Sequence, residues 1–199
     1  MSIRFLNLMK KTRINVDVIF QEYYSSLKNS SGVLSKLDKR VFFTYPVFCA
    51  LVLSLLGRLS KDYIEYVVTV MAIISGLLLN MLVLLISEAK KIPDNHVDKP
   101  NRKLLVKDTF SVISYTVLMA LILIAISSLI YFINLSGWNF DFYIKRTHVH
   151  FDILEYAVIV WILRTFASII ILSLAIHILF NVVLIVRRIH TFFKYEIDC

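Results

Sequence analysis

Four long apolar runs, at residues 41–57, 66–86, 111–135 and 156–186, alternate with polar segments that hold every charged residue except Arg164. The runs are 17, 21, 25 and 31 residues long. A helix needs about 20 mostly apolar residues to cross a hydrocarbon layer about 30 Å thick, where its backbone must satisfy its own hydrogen bonds. The pattern therefore predicts an all-α, polytopic membrane protein, a bundle of four transmembrane helices. The remaining segments, 1–40, 58–65, 87–110, 136–155 and 187–199, are too short to build a large water-soluble domain beside it.

Before the first run, Val16, Ile19, Phe20, Tyr23 and Leu27 recur at three- and four-residue spacing, with Asp17, Gln21, Glu22, Ser26 and Lys28 between them. That period predicts a short amphipathic helix. Its apolar stripe suits either membrane lipids at the inner surface, helped by Lys10, Lys11 and Arg13, or a protein partner or sister subunit. Residues 29–32 read as a turn. Pro46 falls early in the first span, where a missing amide costs least and no kink is required. The 58–65 segment allows only a tight turn, so the first two spans are expected to be antiparallel neighbours. The 87–110 segment, with Pro93, Pro100 and six basic residues, is the main loop, either simply solvated or a docking surface. After the third span, Trp138, Phe140, Phe142 and Tyr143 alternate with polar residues and are expected at the outer headgroup level.

Charge changes the picture by orienting the helices. Seventeen of the 22 Lys and Arg residues fall in 1–40, 87–110 and 187–199, leaving five for the opposite side even with Arg164 counted there. Basic residues are retained in the cytoplasm during insertion, so both termini are expected inside, in a bacterial inner membrane. The same bias accounts for the net charge of +8 without direct nucleic-acid binding. No apolar core followed by a small-residue cleavage site occurs in the first forty residues, so the first span is expected to direct insertion and stay. Cys49 and Cys199 have neither metal-ligand spacing nor a plausible pairing and are read as reduced.

Polar residues inside the spans are the candidates for function. The fourth run of 31 residues would rise about 46 Å, more than a bilayer needs, whereas 165–186 suffices and leaves Arg164 at the outer edge. There it can snorkel or pair with Asp152, Glu155 or Glu65; an anion site or gate is the competing role. Deeper in that run, Ser173, His177 and Asn181 repeat every fourth residue along one helix face. In the second run Thr69, Ala72, Gly76 and Asn80 form a similar seam, with Ala72 and Gly76 at the spacing that lets helix backbones approach. Asn80 and Asn181 are expected at similar depth and could hydrogen-bond each other. These seams serve as helix-packing contacts or as pore lining, with His177 a proton-sensitive group in the second case.

Catalytic chemistry finds little support. Ser173, His177 and Asn181 lack a Gly-flanked serine and a second acid, and no phosphate loop, cysteine pair or zinc-protease motif occurs. The chain is expected to be no enzyme and to hold no cofactor. His148, His150 and Asp152 would share one side of an extended segment, but a fourth metal ligand is not evident.

In its size, four spans, basic N-terminal segment and lack of a catalytic motif, the whole chain resembles the small four-span membrane subunit of the bacterial Kiwa antiphage system. The resemblance carries no site residue across. It implies a homo-oligomeric inner-membrane sensor or scaffold, with a tetramer among the expected states, that detects phage attack and works with a soluble DNA-binding partner at the cytoplasmic face. A small oligomeric ion channel, or a membrane-permeabilising effector, is the alternative.

Overall fold

The computed structural model describes residues 16–28, 35–56, 61–91, 99–135 and 153–197, and every regular element among them is helical. In chain order these are α1 (Val16–Ser26), α2 (Lys36–Lys39), a π-helical stretch (Arg40–Thr44), α3 (Tyr45–Leu56), α4 (Lys61–Lys91), α5 (Lys99–Leu135) and α6 (Ile153–Ile197). Three of them carry segments long and apolar enough to cross a membrane: Asp62–Ser87 in α4, Lys103–Phe132 in α5 and Thr165–Phe192 in α6. Their 26, 30 and 28 residues rise about 39, 45 and 42 Å, beyond the hydrocarbon thickness in each case. Large apolar side chains lie on their outer faces, among them Ile73, Leu77, Val83, Leu129, Phe132, Phe166 and Val183. Water would not tolerate that surface, whereas lipid matches it. The chain is a membrane protein whose described elements are all helical.

The expected first span, 41–57, is helical through Leu56 but does not form one α-helix of spanning length. The reason is Pro46. Without an N–H, proline cannot donate to the Phe42 carbonyl four residues before it. The turn ahead of it is widened, with the Tyr45 amide reaching Arg40 in the five-residue spacing of a π-helix. Pro46 is itself buried, so it shapes this helix instead of sitting harmlessly at its start.

The other helices overrun the apolar runs. α4 continues to Lys91, α5 begins at Lys99 and α6 extends to Ile197, so much of the expected 87–110 loop and of the tail is helix. Lysine, glutamate, leucine and alanine in these stretches favour helix once a span has nucleated it. Pro100 is the second residue of α5, where its lost amide had no helical partner anyway. Residues 92–98 and the aromatic segment 136–152 lie outside the described residues.

The chain divides into two compact units. The first comprises Met1–Asp38, Leu78–Val117 and Asn181–Cys199; the second comprises Lys39–Leu77 and Leu118–Phe180. In the second, Ile64, Val67 and Met71 of α4, Ala120 and Leu123 of α5, and Ile171, Ala175 and Ile178 of α6 are buried, each set at helical spacing. The Ser75 hydroxyl is satisfied by the Met71 carbonyl one turn back. His177 Nδ1 lies 2.8 Å from the Phe42 carbonyl oxygen, the acceptor that Pro46 leaves without a helical donor. A carbonyl only accepts, so Nδ1 carries the proton and the imidazole donates. Phe43 holds the ring on one side, with centroids 5.8 Å apart.

His177→Ala should therefore cost about 1–3 kcal/mol by leaving a buried carbonyl bare. In a Pro46→Ala background, where the restored amide can take that carbonyl, the cost should fall by about 0.5–1.5 kcal/mol. Thermal unfolding of the four proteins in detergent measures the coupling, and equal costs in both backgrounds would refute it.

Candidate functional site

The densest polar cluster among the described residues lies in the first unit, where α1 packs on α5 and α6. The sequence forms α1 through its three- and four-residue apolar period, and the face so produced is the one that is covered: Tyr23 and Leu27 are buried, while Val16, Ile19 and Phe20 are half-buried. Asp17, Gln21 and Tyr24 stay on the outside. The apolar stripe expected to meet lipid or a partner thus has a place within its own chain.

Tyr23 is the centre of the contact. It is 0 % exposed, and its ring stacks on Tyr115 of α5 at 3.7 Å between centroids and 10° between planes. Phe20 closes on the same Tyr115 ring edge-on, at 5.3 Å and 85°. The Tyr23 hydroxyl donates to Asn181 Oδ1 on α6 at 2.8 Å. Burial, reinforced by Tyr115, pushes the Tyr23 phenol above its ordinary value of 10.0, so it remains a protonated donor across the physiological range.

Arg188 completes the cluster. Its Nη1 donates to the Asp108 carbonyl of α5 at 2.7 Å and its Nη2 to the Ser26 carbonyl at the end of α1 at 2.8 Å. The last carbonyls of a helix have no partner inside it, and α1 has no basic residue in its own last turn. A guanidinium 162 residues further along the chain supplies the cap. Its planar fork reaches two separate carbonyls through two different nitrogens, whereas a lysine has a single nitrogen to offer. The neighbouring hydroxyls of Thr109, Ser111 and Thr116 bond to carbonyls one turn back on α5 and make no demand on the cluster.

The predicted residues separate into four groups. Asn181 and His177 are both buried and both engaged, one with Tyr23 and the other with Phe42, while Ser173, one turn before His177, is half-buried. Thr69, Ala72, Gly76 and Asn80 are exposed on α4, and a Cβ added at Gly76 would meet nothing within 4 Å. The expected bond between Asn80 and Asn181 is absent: Asn181 accepts from Tyr23 and Asn80 faces outward. Arg164 lies in α6 directly before the segment Thr165–Phe192. His148, His150 and Asp152 lie outside the described residues, and among those described no group of three His, Cys, Asp or Glu is placed to hold a metal.

Tyr115 and Arg188 were not singled out by pattern. A signal existed for Arg188, since Asn181, Ile185 and Arg188 follow one another at helical spacing and so share a face of α6. Comparison of the chain with protein-family models, curated proteins and solved structures returns no match.

What the arrangement can do is mechanical. It fastens a helix outside the spans to two that run through them, by one aromatic stack, one phenol bond and one cationic cap. Tyr23→Phe should keep the stack and lose the phenol bond, costing about 0.6–2 kcal/mol. Amide exchange along α1 should quicken in Tyr23→Phe and more so in Arg188→Ala; unaltered exchange would count against the fastening. Because the phenol's pKa is raised on folding, its contribution is full below about pH 10 and declines as pH rises beyond that.

Proposed function

We propose that this chain is an oligomeric subunit of a bacterial inner membrane, a sensor or scaffold that acts through a soluble partner at the cytoplasmic face. The observation that carries this reading is the Tyr23 cluster, because it links α1, outside the spans, to the ends of two spanning helices. A movement of α6 against α5 would have to disturb Arg188, which bonds to both α5 and α1. Packed contacts of this kind switch between discrete arrangements instead of yielding gradually, which is what a readout needs. Antiphage defence, a tetrameric state and a DNA-binding partner are added by the resemblance to the Kiwa membrane subunit.

The helical backbone that runs through α2, the π stretch and α3 is the proposed fourth crossing. Its outer face carries Phe48, Leu51, Val52, Leu53 and Leu55, a surface suited to lipid. Four crossings return both ends to one side, and the basic excess makes that side the cytoplasm. A second copy of the chain suits the exposed α4 face at Thr69, Ala72, Gly76 and Asn80, since small residues allow close approach and an amide in hydrocarbon gains from a partner. His177 and Asn181 bond within the chain, which favours the scaffold over a pore lined by them.

Two experiments test this. Removal of residues 1–28 should leave the protein in the membrane and abolish copurification of a co-expressed soluble neighbour, and full retention of that neighbour overturns the recruiting role. In a Cys199→Ser background, the exposed Cys49 of α3 should resist a membrane-impermeant maleimide in intact membranes and react once detergent is added. Ready labelling before detergent removes the fourth crossing.

A further inference from the structure

We propose that Lys103 and Lys107 of α5, with Arg187 and Arg188 of α6, form a binding site for the phosphate-bearing headgroup of an anionic phospholipid. All four belong to the first unit. Lys103 and Lys107 stand one helical turn apart and are both exposed, as is Arg187. The two helices are tied together at this level by the bond from Arg188 to the Asp108 carbonyl, at 2.7 Å; Lys107 and Arg187 are the chain neighbours of the two bonded residues, and Lys103 lies one turn before Lys107.

Charge is left over there. The Asp108 carboxyl lies within electrostatic reach of Lys107 and Arg188, one acid facing two cations. No ion pair joins any of the four to another described residue. Arg188 is half-buried, and its two bonds go to carbonyls, which satisfy N–H groups without neutralising the guanidinium. A charge at the margin of a low-dielectric layer is best compensated by an anion beside it.

The apolar surroundings select a lipid over a soluble anion. Leu104, between the two lysines, is 60 % exposed, and Val183 and Val186, on the approach to Arg187, are 66 % and 56 % exposed. An acyl chain would cover this surface while its phosphate met the cations; inorganic phosphate would leave it bare. Basic clefts between spanning helices recognise anionic headgroups in this way, each cation contributing about a fivefold gain.

The test is native mass spectrometry of the full chain in detergent, titrated with phosphatidylglycerol and separately with phosphatidylcholine. Phosphatidylglycerol adducts should survive and phosphatidylcholine adducts should not. The triple variant Lys103→Gln, Lys107→Gln, Arg187→Gln should bind phosphatidylglycerol about 100-fold more weakly. Lys103→Arg with Lys107→Arg should retain it, which separates charge from fold. Equal binding of the two lipids, undiminished binding in the triple variant, or displacement of the lipid by inorganic phosphate would each overturn the assignment. The outcome does not depend on the sensor or scaffold role.

Discussion

Inside a bilayer no water is present to take up an unsatisfied polar atom, so each donor and acceptor in this chain has to find its partner in protein. Among the described residues Ser75, Thr109, Ser111 and Thr116 meet that constraint locally, each hydroxyl bonding to a carbonyl one turn back on the same helix. The buried Ser127 hydroxyl is the exception among the described side chains. Side chains without a local acceptor are the ones that bind helices together. His177 reaches the carbonyl that Pro46 leaves vacant, and Asn181 accepts from Tyr23. A proline and a histidine 131 positions apart in the sequence are therefore parts of one interaction.

Burial makes the same demand of α1, which lies outside the spans. An eleven-residue helix gains little from its own hydrogen bonds, because nucleation is costly and its end carbonyls are unpaired. Tertiary contacts supply what it lacks. Tyr115 provides a flat surface for Tyr23, and Arg188 provides a cap for Ser26. The weight of the docking falls on few side chains, which makes α1 an element whose attachment can change without unfolding the spanning helices.

Much of the fold was legible in the pattern of apolar residues. The runs at 66–86, 111–135 and 156–186 correspond to segments of α4, α5 and α6, and the spacing of Val16, Ile19, Phe20, Tyr23 and Leu27 marks α1 and its covered face. Apolar periodicity says which face of a helix leaves water, but not what covers it, so the sequence left α1 between lipid and a partner or sister subunit. Helix ends were harder to place, because lysine and glutamate continue a helix readily once it has begun. Of the polar candidates, Asn181 and His177 are at the centre of buried contacts, while Asn80, at a similar register, faces outward.

Sequence by itself determined the medium, since only lipid accommodates that many apolar side chains on helical surfaces, and it determined the residues that would be costly to leave alone there. Tertiary structure decided how those costs are met: Tyr23 for Asn181, Phe42 for His177, and the carbonyls of Ser26 and Asp108 for Arg188. The division has a physical cause. Solvent preference and helical period are properties of neighbouring residues, whereas a hydrogen bond between side chains far apart in sequence exists only after the packed helices have fixed their distance and direction.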